Sequence, residues 1–362
     1  MWSTDDVRAL LSAEEWAVAA PYFGLDRPPN FEGHAWHLRE IEPLEKVAAQ
    51  LDISVPDART RLVGAQAALF AAREQRVRPG RDDKVLTSWN ALAVSGLTRA
   101  ARAQDEPRWA ELAFAAADTL KRTAWRDGRL LATCLGKRAD LNGYLDDYAF
   151  LLAALVELMQ TRFRVADFDW ARELADALLA HFEDGERGGF FFTSHDHEKL
   201  FHRTKPGPDN ATPSGNGVAA CALIAFGHLA AEPRYIDAAE RCVRLFASTL
   251  AESPGGCSTL LAALADLESP PTSVLIDGDL DDALAWQRAL ELQFRPSVRV
   301  YNIAGVTQLP PALAKGARPP DGAVAWVCRG THCLPAVVTV AELERELAAS
   351  GPGATGPSPI AQ

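Results

Sequence analysis

Two adjacent carboxylates, Asp146 and Asp147, stand in the stretch Gly143-Tyr144-Leu145-Asp146-Asp147-Tyr148. Neighbouring carboxyls resist ionising together, so one of them can be held protonated and act as an acid. Adjacent residues on a helix point in different directions, so at most one of the two faces a given cavity. A pair of acids also suits a helix N-terminus electrostatically, which accounts for both without any chemistry. Two further stretches have the same flavour. Asp82-Asp83-Lys84-Val85-Leu86-Thr87-Ser88-Trp89-Asn90 offers Thr87 or Ser88 as a helix cap. Capping does not explain Trp89 and Asn90 in the first turn. Sugar sites use that combination: a ring stacks on the apolar sugar face while amides and carboxylates bind hydroxyls. In Asp209-Asn210-Ala211-Thr212-Pro213-Ser214-Gly215-Asn216, Ser214 can cap and Gly215 permits close backbone approach. Asp209 and Asn216 are polar groups beyond what capping requires. The shared chemistry predicts that Trp89, Asp146 or Asp147, and Asn216 line one cavity of ~300–1,000 Å³.

Other constellations carry less. Gly188-Gly189-Phe190-Phe191-Phe192-Thr193 and Leu200-Phe201-His202-Arg203 read as a strand hairpin with His195, His197 and His202 near its turn. Alternate histidines on one strand face can bind a metal, but no carboxylate or cysteine has ligand spacing, and a solvated turn explains them. His34 and His37 are weaker still, so no metal is expected. Cys328 and Cys333 form the closest cysteine pair. Four intervening residues do not make a C-x-x-C motif, and the reading favours two unlinked reduced thiols over a redox or regulatory pair. A zinc site lacks two further local ligands. With no G-x-S-x-G elbow, P-loop or dinucleotide fingerprint, no cofactor is implied.

The chain has 362 residues, with 37 Lys+Arg against 48 Asp+Glu and a net charge of -11. An acidic chain without a basic run is a poor partner for nucleic acid or an anionic membrane. Hydrophobic residues make up 48% and charged residues 23%, as in globular proteins. No stretch approaches the ~18 uninterrupted apolar residues of a membrane span. Met1-Trp2-Ser3-Thr4-Asp5-Asp6 lacks a signal-peptide pattern. Six cysteines in a chain this long do not make a disulfide scaffold, and a cytoplasmic, reducing compartment is expected.

The elements that must position these residues are mostly helices. Apolar steps of three and four mark helices at 60–75, from Ser88, from Pro107, and along Tyr148–Met159. Four more follow along Trp170–His181, Val218–Leu229, Tyr235–Phe246 and Leu260–Leu267, with short ones at Asp5–Leu11 and Glu14–Tyr22. Short breaks alternate with long irregular connections at 124–144 and 184–213. That rhythm predicts stacked helical hairpins whose long loops gather on one face, as in an α/α toroid. Eight helices fall short of about twelve in a closed ring. An open arc is therefore expected, with Leu62 and Leu69 on an exposed edge. After Ser269-Pro270-Pro271 the pattern changes to strand, helix, strand, strand and a closing helix, a small α/β appendage. The expected division is a mainly α toroid portion at 1–268, an α/β segment at 269–349 and a disordered tail at 350–362.

In order along the chain, Asn30-Phe31-Glu32-Gly33, Asp82 to Asn90, Tyr144-Leu145-Asp146-Asp147-Tyr148-Ala149-Phe150, Gly188 to Phe192, Pro213-Ser214-Gly215-Asn216 and the Cys328/Cys333 segment resemble one known family. It is the thioredoxin-domain-containing family of spermatogenesis-associated protein 20. The resemblance implies an α/α toroid similar to N-acylglucosamine 2-epimerases and six-hairpin glycosidases. Full members carry an N-terminal thioredoxin-like domain and then the first toroid helices, so this chain is expected to start midway through the family pattern.

The resulting expectation is a carbohydrate-active or carbohydrate-binding toroid. Its mouth would be formed by Asp83, Trp89, Asn90, Tyr144, Tyr148, Asp146, Asp147, Asp209, Ser214 and Asn216. Asp146 or Asp147 would be the general acid or base, with Asp83 or Asp209 opposite. Trp89 and Tyr144 would stack, and Asn90 and Asn216 would orient hydroxyls. The alternatives are a client-binding module whose thioredoxin-like partner sits on another chain, or a fragment with exposed inner helices.

Overall fold

Serine side chains start the first helices. The hydroxyls of Ser3, Ser12 and Ser54 each accept a hydrogen bond from a backbone N–H three residues on. They open α1 (Thr4–Leu10), α2 (Ala13–Phe23) and α4 (Val55–Glu74), with α3 (Leu44–Gln50) between. The computed structural model describes residues 1–136, 138–316, 319, 321–330 and 332–348; the tail from Ser350 lies outside them. These four helices lie in a compact unit, Met1–Asp82, with its own core of Val7, Val18, Val47, Leu62 and Leu69. Leu62 and Leu69 are thus not on an exposed edge: they are 6% and 4% exposed, because α1, α2 and α3 pack on α4. The helix α3 is an addition to the expected series, although Leu44, Val47, Ala48 and Leu51 recur at helical steps after Pro43.

The second unit, Asp83–Gln362, opens with β1 (Val85–Leu86), α5 (Thr87–Gln104) and α6 (Pro107–Ala124). The connection expected to be irregular is a small antiparallel sheet instead. It comprises β2 (Trp125–Arg126), β3 (Arg129–Leu135) and β4 (Arg138–Asn142), with β3 pairing to β1, β2 and β4. Then come α7 (Leu145–Thr161), α8 (Val165–His181), α9 (Gly215–Ala230) and α10 (Pro233–Leu245). The short α11 (Ala247–Glu252) and α12 (Ser258–Glu268) complete the helical part.

Burial sorts these helices into two rows. α7 and α9 are buried nearly all round, the mark of an inner helix. α6 and α10 bury one stripe, led by Phe114 and Leu120 in α6 and by Tyr235 and Cys242 in α10. Each inner helix packs on the next, α5 on α7, α7 on α9 and α9 on α12, and α6, α8 and α10 return behind them. The unit is an arc of an (α/α) toroid.

Residues 269–348 belong to the same unit. They form β5 (Thr272–Gly278), α13 (Leu280–Glu291), β6 (Val298–Asn302), β7 (Ala323–Arg329), β8 (His332–Cys333) and α14 (Val340–Ala348). The sheet order is β6-β5-β7-β8, with β5 and β6 parallel and the other pairs antiparallel. One face, with Val274, Ile276, Ala325 and Val327, packs with Ala283, Leu290, Leu343 and Leu347 of the two helices. The other face, with Leu275, Tyr301 and Trp326, joins the helical core. Both faces being covered explains the consecutive apolar residues Val274, Leu275 and Ile276 in β5.

Candidate functional site at the inner-helix starts

The starts of the inner helices adjoin one another. The backbone N–H of Ser88 in α5 donates to Asp147 Oδ1 of α7 at 2.9 Å. A β-carbon on Gly215, the first residue of α9, would collide with Asp146 Oδ1. Gly217 in turn lies against Thr259 and Leu260 of α12, where a β-carbon would sit 2.7 Å from Thr259 Cβ. The three polar stretches therefore come together at helix ends, and the 125–142 sheet and the 182–214 loop close over the same ends. Thr87 Oγ1 donates to the Leu131 carbonyl at 2.6 Å, and Leu145 N–H donates to the Phe192 carbonyl at 2.9 Å.

Several expected ligand contacts are structural posts. Neither Thr87 nor Ser88 caps α5 with its hydroxyl; Leu86 occupies the cap position, and Asp147 from the next helix supplies the acceptor. Asp147 is 3% exposed, and its second oxygen accepts the Tyr144 N–H at 2.8 Å. That is one half of a capping box. Asn216 is fully buried: its Oδ1 accepts Phe190 N–H at 2.7 Å, and its Nδ2 donates to the Phe190 and Pro206 carbonyls. Tyr148 is fully buried too, its hydroxyl accepting Leu130 N–H at 2.8 Å. Ser214 caps α9 and donates to the Pro206 carbonyl. Asp209 accepts from Ser214 N–H, Thr259 N–H and the Thr259 hydroxyl, tying α9 to α12. The side chains of Asp147, Tyr148, Asp209, Ser214 and Asn216 are thus committed to partners within the fold, and all but Asp209 are buried.

What remains open is smaller. Asp146 is half-buried and makes no hydrogen bond or ion pair with a described residue. Burial pushes its carboxyl up to about 6. Burial raises Asp147 to about 6 as well, against the pull of its N–H donors and with a further push from Asp146. Trp89, next to Ser88, is 64% exposed. Asn90 is half-buried and spends its Nδ2 on the Leu86 carbonyl, leaving its oxygen available. Asp83 is exposed. Tyr144 stacks on Phe192 with centroids 5.0 Å apart and lies tilted to His197 at 5.8 Å. Leu141, Asn142, Tyr144, His197 and Glu198 line a shallow recess of about 210 Å³.

The 182–214 loop is not a strand hairpin. A single Phe192 N–H to Thr204 carbonyl bond links its two arms, and side chains do the rest. Lys205 Nζ donates to Asp184 and to the Gly188 carbonyl, both at 2.7 Å, and the Arg203 guanidinium lies 4.0 Å from the Phe191 ring centroid. Arg129 of β3 pairs with Asp196 and holds the loop to the small sheet. Phe192 stood in the aromatic run beside Gly188-Gly189, whereas nothing in the sequence pattern marked Arg129 and Asp196 as a pair. His195 turns to His181, with centroids 5.1 Å apart, rather than pairing with His197. Among the described residues no group of three or more His, Cys, Asp or Glu side chains could hold a metal ion.

Cys328 and Cys333 were expected as unlinked thiols. They are bonded as a disulfide, because β7 and β8 place them directly opposite each other.

No family model matches the chain. A human protein is 28% identical over 322 residues, covering 84% of this chain and 41% of its own length. It bears the family name already met. The chain is similar to spermatogenesis-associated protein 20. An uncharacterised Caenorhabditis elegans protein is 25% identical over 374 aligned residues, covering 95% of this chain and 50% of its own. The chain thus spans about two fifths to one half of the length of these relatives. Among solved structures, a cellobiose 2-epimerase from Bacillus thermoamylovorans is 12% identical, with a TM-score of 0.40 over 47% of this chain and 46% of that one. A family 76 α-mannanase from Bacteroides thetaiotaomicron is 12% identical, with a TM-score of 0.41 over 65% of this chain and 68% of that one. Among the described residues no helix is long and apolar enough to cross a membrane.

Proposed function

We propose that the inner-helix starts form a carbohydrate site in which Asp146 transfers a proton. The observation that carries this is Asp146 itself. It is a half-buried carboxyl with no partner among the described residues, raised to about 6, beside an Asp147 whose two oxygens are both engaged. A carboxyl titrating near the working pH is suited to general acid–base work. Trp89 and Tyr144 supply ring faces for the apolar side of a sugar, and the free oxygen of Asn90 accepts from a hydroxyl. Asp147 positions rather than reacts, since both its oxygens hold backbone N–H groups. Asp209 likewise positions, holding the Ser214 and Thr259 N–H groups.

The test is ligand-observed NMR on the purified chain with a panel of mono- and oligosaccharides, repeated with Asp146→Asn. Saturable binding by at least one sugar is expected, with affinity kept within a few-fold in the variant and any turnover abolished. A panel with no binder, or turnover untouched in Asp146→Asn, overturns the assignment.

A further inference from the structure

We propose that the Cys328–Cys333 disulfide is a thiol–disulfide exchange site, opened and closed by a dithiol partner. It lies apart from the helix-start residues, at the opposite end of α9, beside the α9–α10 turn. The bond joins facing residues of β7 and β8, five positions apart, and Gly330, next after β7, takes a left-handed φ of 57°. Cross-linking stabilises a fold chiefly by closing a loop, and the effect shrinks with the loop. Backbone pairing already holds these two strands together. The bond therefore contributes little as a staple.

Its surroundings suit exchange. Cys333 is exposed, whereas Cys328 is 8% exposed. Both line a recess of about 110 Å³ together with His228, Glu232, Ser273 and Lys315. His228 Nδ1 is buried without a hydrogen-bond partner, and burial lowers the pKa of its ring. A neutral imidazole in that recess can take up or return a thiol proton, and the Lys315 ammonium favours a thiolate. The other four cysteines are free thiols, and Cys134, Cys242 and Cys257 among them are buried. Burial pushes Cys221 up to about 12 and raises Cys242 as well, so they compete poorly for exchange.

The step balances as follows. One thiolate of the dithiol attacks the exposed Cys333 Sγ; the Cys328 sulfur leaves as a thiolate and takes a proton through His228. The dithiol's second thiol loses its proton and attacks its own sulfur in the mixed disulfide. Cys333 departs as a thiolate and is protonated. Two electrons and two protons pass to the chain, and the dithiol becomes a disulfide.

The experiment is alkylation mass spectrometry on the folded, full chain. Protein purified without reductant should show the pair protected from alkylation. Reduced thioredoxin or dithiothreitol under native conditions should then expose Cys328 and Cys333 and leave Cys134, Cys242 and Cys257 unlabelled. Efficient opening by thioredoxin at a concentration where dithiothreitol fails identifies a protein dithiol as the partner; equal opening identifies a small one. A thioredoxin lacking its second cysteine should be trapped on Cys333. His228→Gln should slow opening about tenfold while leaving the unfolding transition in place. The proposal is overturned if the pair is found as free thiols, if it opens only in denaturant, or if the trap forms on Cys328. None of these results depends on sugar binding.

Discussion

Asp147 of α7 receives the Ser88 N–H of α5 at 2.9 Å, so the first turn of one inner helix is capped by a side chain of the next. Its other oxygen closes the start of its own helix on Tyr144 N–H. Asp147→Ala strands both donors in a buried place. Each unsatisfied buried group costs about 1–3 kcal/mol, so a loss of about 2–4 kcal/mol is expected. Denaturant unfolding of the two proteins measures it. An unchanged midpoint would mean that neither bond matters.

Asn216→Ala should behave the same way, for the same reason. Three hydrogen bonds tie this fully buried amide to the Phe190 and Pro206 backbone. The expected cost is again about 2–4 kcal/mol. The discriminating readout is affinity at a temperature where both proteins are folded. Sugar affinity that falls tenfold with stability intact would return Asn216 to the binding surface.

The carboxyl pair gives stability a pH dependence of known sign. Asp146 has a folded pKa of about 6 against an ordinary 3.8, so between those values the folded chain binds more protons than the unfolded one. The contribution is fully present below about 3.8 and is lost as pH rises through about 6. Asp184, held down to about 2 mainly by Lys205 and loop N–H groups, acts with the opposite sign and only below 3.8. Asp146→Asn should therefore stabilise the chain at pH 7 and flatten the slope between pH 4 and 6. Unfolding curves across that range decide it; a variant less stable at pH 7 would show that the charged form is welcome in the fold.

The helix rhythm was readable because inner and outer helices impose different burial on the same 3.6-residue period. Phe114 and Leu120 mark a one-sided stripe, while Leu151, Leu155 and Leu158 belong to a helix buried all round. The run Val274-Leu275-Ile276-Asp277-Gly278 read as a buried strand, and it lies within β5. The small sheet at 125–142 escaped notice because β2 has only two residues and Arg138-Ala139-Asp140-Leu141-Asn142 is polar enough to read as loop. Polar side chains misled in a more instructive way. Asp147 and Asn216 lie in the first turns of α7 and α9 and Asp209 in the loop before α9, but sequence cannot show whether a polar group turns to backbone or to solvent. Here the donors of Ser88, Thr259 and Phe190 had first use of them.

Gly215→Ala tests the contact between α7 and α9. The added methyl would meet Asp146 Oδ1 and come 3.1 Å from Leu145 Cγ. Leu145 is fully buried and cannot retreat, so Asp146 must turn away. Overpacking of this kind costs about 1–3 kcal/mol. The same substitution should shift the midpoint of the pH–stability slope, since a displaced Asp146 is better solvated. NMR titration of the carboxyl carbon would register the fall from about 6 towards its ordinary value. A wild-type titration would place the two helix starts farther apart.

Trp89→Ala separates ligand binding from folding most cleanly. The ring is 64% exposed, so its removal leaves no cavity and strands no hydrogen-bonding group. Surface changes without such features lie within about 0.5 kcal/mol, and the unfolding midpoint should stay in place. Affinity is a different matter. A ring stacked on a sugar face provides both apolar contact and a fixed orientation for the hydroxyls that Asn90 and Asp146 would meet. Losing about 1.4 kcal/mol of that contact is already tenfold in the dissociation constant. The expected pair of results is therefore an unshifted unfolding curve and a sugar affinity at least tenfold weaker, read in one protein preparation by denaturation and by ligand-observed NMR. Trp89→Phe should recover much of the affinity, because a smaller ring keeps the stacking face. If Trp89→Ala binds sugar as the parent does, the ring is a bystander. The ligand surface must then be sought nearer the recess of Tyr144 and His197, where Tyr144→Ala would carry the loss instead.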